Sequence, residues 1–166
     1  MTIRLLRWLL LASVLWLSAC STPSLRPHAT STDIPAFWSG RLALQVDSTP
    51  PQNLSASFEL LGSAQQGELL LLSPLGNTLG RLRWQPGQAQ LDQGDQHWQD
   101  RSVQALTEQL TGTTLPLEAL FSWLKGQDHD APGWQFDLSQ FESHHRIRAE
   151  RLKPEPRTLL KLQLDR

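Results

Sequence analysis

The chain has 166 residues, enough for one domain with its own core. Hydrophobic residues make up 39% and charged residues 19%, an ordinary globular balance, and a formal net charge of -1 offers no electrostatic attraction for nucleic acid. The single cysteine excludes an intrachain disulfide.

Residues 1–19 read as a targeting segment to be set aside from the fold. Arg4 and Arg7 form a basic start, Leu9 to Leu17 a short apolar stretch, and Leu17-Ser18-Ala19-Cys20 follows. The apolar stretch is too short for a comfortable membrane span. The Leu-Ser-Ala-Cys run resembles a bacterial lipobox, which implies cleavage before Cys20 and lipid attachment to it. Ser21 stands where that pattern carries aspartate for inner-membrane retention, so the resemblance implies the outer membrane, facing the periplasm. Removing Arg4 and Arg7 with the segment takes the formal charge from -1 to -3. Residues 20–35, rich in Pro, Ser and Thr, read as a flexible tether, and the folded domain spans 36–166.

The domain opens with FWSGRLALQV, where Leu42, Leu44 and Val46 alternate with Arg41, Ala43 and Gln45, the period of a half-buried strand. After the STPPQN turn, Leu54, Ala56, Phe58 and Leu60 alternate in the same way. GSAQQG turns the chain into strands expected over 68–72 and 79–84, joined through Ser73-Pro74-Leu75-Gly76. Proline suits position i+1 of a type I turn, leucine falls at i+2, and glycine takes the left-handed position that follows. That geometry places an apolar Leu75 at a hairpin tip, unless the side chain folds back onto the core. Two short strands follow, AQLD and QHWQ. Connections this short make the sheet antiparallel.

The period then changes. SVQALTEQLTG puts Val103, Leu106 and Leu110 on one helical face, with Ser102 as cap and Gly112 as stop. In TTLPLEALFSWLKG, Thr114 is read as the cap, Pro116 as a first-turn residue and Gly126 as the end, with Leu117, Leu120, Phe121 and Leu124 as the apolar face. Strands return in WQFDL, HRIRAERL and RTLLKLQLD. The sum is seven to nine antiparallel strands with a two-helix insertion, an α+β arrangement.

Positive signals for catalysis are missing from the sequence: no G-x-S-x-G elbow, P-loop, H-E-x-x-H or C-x-x-C occurs. Asp128-His129-Asp130 is a cluster in a loop with no distant group to complete a metal shell, and a solvated loop is the plainer reading. His144 and His145 would face opposite ways in a strand and could not chelate together. Glu59, Glu68 and Glu118 fall on separate elements and form no evident acid–base pair. No enzyme activity and no cofactor beyond the covalent lipid are expected.

Three stretches together resemble the LolB family of outer-membrane lipoprotein receptors: FWSGRLAL, LLLLSPLGNTLGRLRW and LTGTTLPLEALFSWLKG. They run in the family's order behind the lipobox. The segment after Gly126 is shorter than in longer members, which carry an extra strand hairpin there. The resemblance implies a strongly curved, unclosed β-barrel with a helical lid over a hydrophobic cavity. It also implies an activity, in which lipoproteins are accepted from the periplasmic carrier LolA and inserted into the outer membrane, by a monomer without nucleotide or metal. The candidate cavity residues are then Phe58, Leu70, Leu72, Leu82 and Trp84 on the sheet and Leu120, Trp123 and Leu124 on the lid. All could equally fill an ordinary core, and 69–72 is apolar on both faces. The resemblance assigns Pro74, Leu75 and Gly76 to a loop that enters the membrane. The alternative is an envelope lipoprotein acting as a β-rich binding or scaffold module.

Overall fold

A computed structural model describes residues 35–165; the targeting segment, Cys20 and the tether up to residue 34 lie outside them. The alternating stretches form β1 (Phe37–Val46), β2 (Gln52–Gly62), β3 (Gly67–Leu72), β4 (Thr78–Gln85), β5 (Gln88–Gln93) and β6 (Gln96–Asp100). Helices α1 (Val103–Thr111) and α2 (Leu117–Trp123) follow, then β7 (Trp134–Asp137), the single-turn α3 (Phe141–His144), β8 (Arg146–Arg151) and β9 (Thr158–Leu164). No strand lies between Trp123 and Trp134, where longer relatives were expected to carry a hairpin.

One sheet takes all nine strands, in the order β6-β5-β4-β3-β2-β1-β9-β8-β7, every neighbouring pair antiparallel. The sheet does not close: β6 and β7 are its two edges. These edges are also the strands on either side of the helical segment. The chain that leaves β6 must therefore cross the sheet to begin β7, and it does so over the apolar face. The lid position follows from topology.

The inner face carries Leu44 and Val46 of β1, Ala56, Phe58 and Leu60 of β2, Leu82 and Trp84 of β4, and Leu160 and Leu162 of β9, all buried. From above, Leu106 of α1 and Ala119, Phe121 and Trp123 of α2 are buried against the core. Gly80 brings α1 close: a Cβ there would meet the Leu110 methyl at 2.5 Å. Trp38 and Trp84 meet the Phe121 ring edge-on at 5.5 and 6.3 Å. The indole N–H groups of Trp38, Trp84 and Trp123 donate to the carbonyls of Leu124, Ser63 and His129 at 3.0–3.1 Å, so these large apolar bodies are buried without stranded donors.

The helix boundaries divide the expectations. Ser102 caps α1, its Oγ accepting from Ala105 N–H, and Gly112 ends it at φ 77°. Thr114 does not cap α2. Its hydroxyl and carbonyl accept from Arg151 instead, and Pro116 is the N-cap, with no side-chain capping bond. The α-helix ends at Trp123, and a tighter turn carries the chain to Gly126, whose N–H donates to the Trp123 carbonyl. His144 ends α3 and His145, at φ 54°, terminates it in the left-handed conformation. The strand expected to start at His145 begins at Arg146.

The inward face of β3 differs from expectation, and the pairing on both sides fixes it. Leu69 and Leu71 stand across from Leu60 and Phe58 of β2 and from Leu82 and Gly80 of β4 on the inside. Leu72 pairs with Thr78 but Leu71 with Gly80, so Leu79 is an extra residue in β4, a bulge that joins the hairpin tip to this register. Leu70 stands between Glu59 and Arg81 on the outside. Leu71→Ala is expected to destabilise the fold by about 3 kcal/mol and Leu70→Ala by less than about 1 kcal/mol, read as shifts of the urea midpoint; equal losses would refute this register.

Candidate functional site

The candidate site is the interior between the sheet and the two helices. Five of the residues singled out from sequence, Phe58, Leu82, Trp84, Leu120 and Leu124, border one void there, together with Leu69, Leu71 and Leu160. Leu70 and Leu72 do not border it, for the register reason above. Trp123 does not either: it is fully buried but turned to the β7 end, 6.3 Å from the Trp134 ring and 5.5 Å from Phe136. It fastens the end of the lid to the sheet.

The polar groups on the void's wall belong to Thr107 and Thr111. Both hydroxyls are consumed within the chain, donating to the Val103 and Thr107 carbonyls at 2.7 Å. The wall is therefore apolar in effect. The void measures about 40 Å³, room for a few waters at roughly 10–15 Å³ each. The lid rests closed on the sheet.

What holds it there is partly polar, and periodicity did not reveal it. Arg151 lies on the inner face of β8 and is 6% exposed. Its guanidinium donates to Thr114 Oγ1 at 2.9 Å and Thr113 Oγ1 at 2.8 Å on the α1–α2 link, and to Pro156 O at 3.3 Å before β9. It lies 5.7 Å from the Trp134 ring centroid, and its Nε has no partner. Carboxylates are not among its partners, so a buried cation is held by hydroxyls, carbonyls and a ring face. The available signal was that Arg151 shares the parity of Ile147 and Ala149 in β8, which are buried.

The second feature is the β3–β4 tip. Gly76 N–H donates to the Ser73 carbonyl and Ser73 N–H to the Asn77 carbonyl, both at 2.8 Å. Gly76 has φ 85°, and a Cβ there would meet nothing, so glycine serves the backbone angle, not space. Pro74 and Leu75 fill the central positions, and Leu75 does not fold back: it is 90% exposed, the most exposed of the large apolar residues described.

Asp128, His129 and Asp130 are exposed in the loop before β7. Among the described residues no group of three or more His, Cys, Asp or Glu is placed to hold a metal ion. Three carboxyls lie below their usual range. His97 and Arg83 hold Asp92 down, bonds from Ser139 hold Asp137, and Arg157, then Arg148, hold Glu150. All three are at the surface and none lies in the void.

An open antiparallel half-barrel with a helical lid on an apolar interior defines an α+β protein of the incomplete-barrel class. Residues 37–155 match the family model described as "Outer membrane lipoprotein LolB". The outer-membrane lipoprotein LolB of Chromobacterium violaceum is 34% identical over 131 residues, spanning 76% of this chain and 70% of that protein. The protein of the same name from Yersinia pseudotuberculosis is 33% identical over 144 residues, spanning 79% and 69%. The chain belongs to the LolB family of outer-membrane lipoproteins.

Removing the lid's polar tie has a measurable cost. Arg151→Met is expected to lower stability by about 2–4 kcal/mol, because it strips donors from buried hydroxyls and carbonyls. A urea midpoint within about 0.5 kcal/mol of the parent would show that the Arg151 bonds do not hold the lid.

Proposed function

We propose that this chain, anchored by lipid on Cys20 through the 20–35 tether, accepts lipoproteins from the carrier LolA and inserts them into the outer membrane. The observation that carries the reading is the apolar interior beneath two helices that lie on the sheet without forming part of it. Family membership supports it.

The physical need is large. At about 0.8 kcal/mol per CH₂, an acyl chain of ~15 methylenes gains roughly 12 kcal/mol on leaving water, so it must stay covered throughout a transfer. A void of about 40 Å³ cannot cover it. Acceptance therefore requires α1 and α2 to move off the sheet, exchanging their side chains on Phe58, Leu71 and Leu82 for the cargo's hydrocarbon. Both states bury the sheet face, which keeps the exchange near balance, and direction comes from rising affinity from carrier to receptor to bilayer. No catalytic group is needed for such a transfer.

Leu75 has a narrower part. Burying one leucine is worth about 1.5–3 kcal/mol, far below the acyl anchor. It serves as a tip that enters the bilayer surface and helps release cargo, presented by a turn that holds it away from the fold.

The closed interior also favours a second reading, a packed β-rich scaffold that handles no acyl chains. One assay separates the two: LolA loaded with an acylated lipoprotein is mixed with the anchored protein in liposomes. The receptor reading expects cargo to leave LolA, and Leu75→Glu to retain acceptance while slowing delivery at least tenfold. If no cargo leaves LolA, the scaffold reading stands; if Leu75→Glu delivers normally, the tip has no part in release.

A further inference from the structure

We infer that the outer face of β1, β9 and β8 binds the anionic phosphate headgroups of the membrane and lays the barrel wall against it. The chain is slightly acidic as a whole, yet the hollow on this face is lined by Arg41, Arg146, Arg148 and Lys161 against one acid, Asp137. Residues directly across an antiparallel pair share a face. Arg41 pairs with Gln163 and Gln163 with Arg146 in one row; Lys161 pairs with Arg148 in the next. All four cations are exposed. With strands about 4.8 Å apart, they fall within a patch about 10 Å wide.

Acids stand around the margin of this patch: Glu59 lies opposite Ser39, and Asp165 accepts from Ser39 Oγ at 2.8 Å. Asp137 and Glu150 border the patch, opposite and beside Arg148. Glu150 is also bridged by Arg157, and Asp137 accepts from Ser139 N–H at 2.9 Å. Arg41, Arg146 and Lys161 form no ion pair among the described residues, and Arg146 Nε instead donates to Gln163 Oε1 at 2.6 Å.

Two observations favour a lipid surface over a protein partner. The side chains beside the cations are small, Ala43, Ser55 and Ser57, and the exposed Phe37 stands apart at the start of β1, four residues from Arg41, so the charged part of the face has no aromatic anchor of the kind that dominates protein interfaces. Cationic groups spread over three neighbouring strands suit several phosphates at once. In addition, Pro74 borders the same surface hollow as Arg41, Arg148 and Lys161, so the hairpin that carries the tip adjoins the basic hollow. This inference rests on the receptor reading for the anchor and the tip; the charged face itself stands on the strand register.

The acylated full chain, with a fluorophore on Ser55→Cys, is reconstituted in vesicles of phosphatidylcholine alone or mixed with phosphatidylglycerol, each carrying a headgroup quencher. Quenching is expected to be at least threefold greater in the anionic vesicles. It should fall to the phosphatidylcholine level in R41E/K161E and in about 0.5 M salt, and partway in R41Q/K161Q, with the urea midpoints unchanged. Leu75→Glu should keep the charge-dependent quenching. Equal quenching in both vesicles, or full quenching in R41E/K161E, overturns the inference. If Leu75→Glu still slows delivery in that case, the receptor reading survives the loss of this one.

Discussion

The structure depends on keeping one apolar sheet face from water when the sheet cannot close on itself. Nine antiparallel strands leave β6 and β7 as separate edges, so Leu44, Phe58, Leu71, Leu82 and Leu160 would face solvent without a cover. The covering helices are supplied by the only segment that must travel between those edges. Their apolar residues are complementary to the sheet for the same reason that an acyl chain would be. Hydrophobic burial is non-directional, and the face does not distinguish a leucine on α2 from any other apolar group.

That lack of discrimination gives the polar contacts their meaning. Burial holds the lid down but does not determine where its ends belong. Trp123, ringed by Trp134 and Phe136, fixes the end of α2, and Arg151 fixes the α1–α2 link through Thr113 and Thr114. Directional bonds of this sort register the closed position, and a buried cation without a carboxylate gains nothing from neutralisation. The interior is thus closed by geometry while remaining chemically suited to hydrocarbon.

Much of the fold was legible because its signals are local. Alternation in FWSGRLALQV and RTLLKLQLD marks strands whose inner residues, Leu44, Val46, Leu160 and Leu162, are the buried ones. Ser102 and Gly112 bound α1 through capping chemistry. Pro74 and Gly76 shape the tip that exposes Leu75. The cavity residues were only partly legible. Phe58, Leu82 and Trp84 stand on strands with one polar face, whereas β3 offers leucines to both sides, and its pairing with Phe58 and Leu60 of β2 turns Leu71 and Leu69 inward instead of Leu70 and Leu72. Thr114 suits a cap by residue type; its oxygens go instead to Arg151, a partner 37 residues away.

The sequence by itself determined the strands, both lid helices, the exposed tip and, through FWSGRLAL, LLLLSPLGNTLGRLRW and LTGTTLPLEALFSWLKG, the family. Each of these rests on contacts or backbone angles within a few residues. Tertiary structure alone decided which leucines of β3 face inward, that Arg151 ties the lid, and that Arg41, Arg146, Arg148 and Lys161 share one face. Those outcomes depend on the register between strands distant in the chain. One extra residue in that register exchanges inside for outside, while the alternation along each strand stays the same.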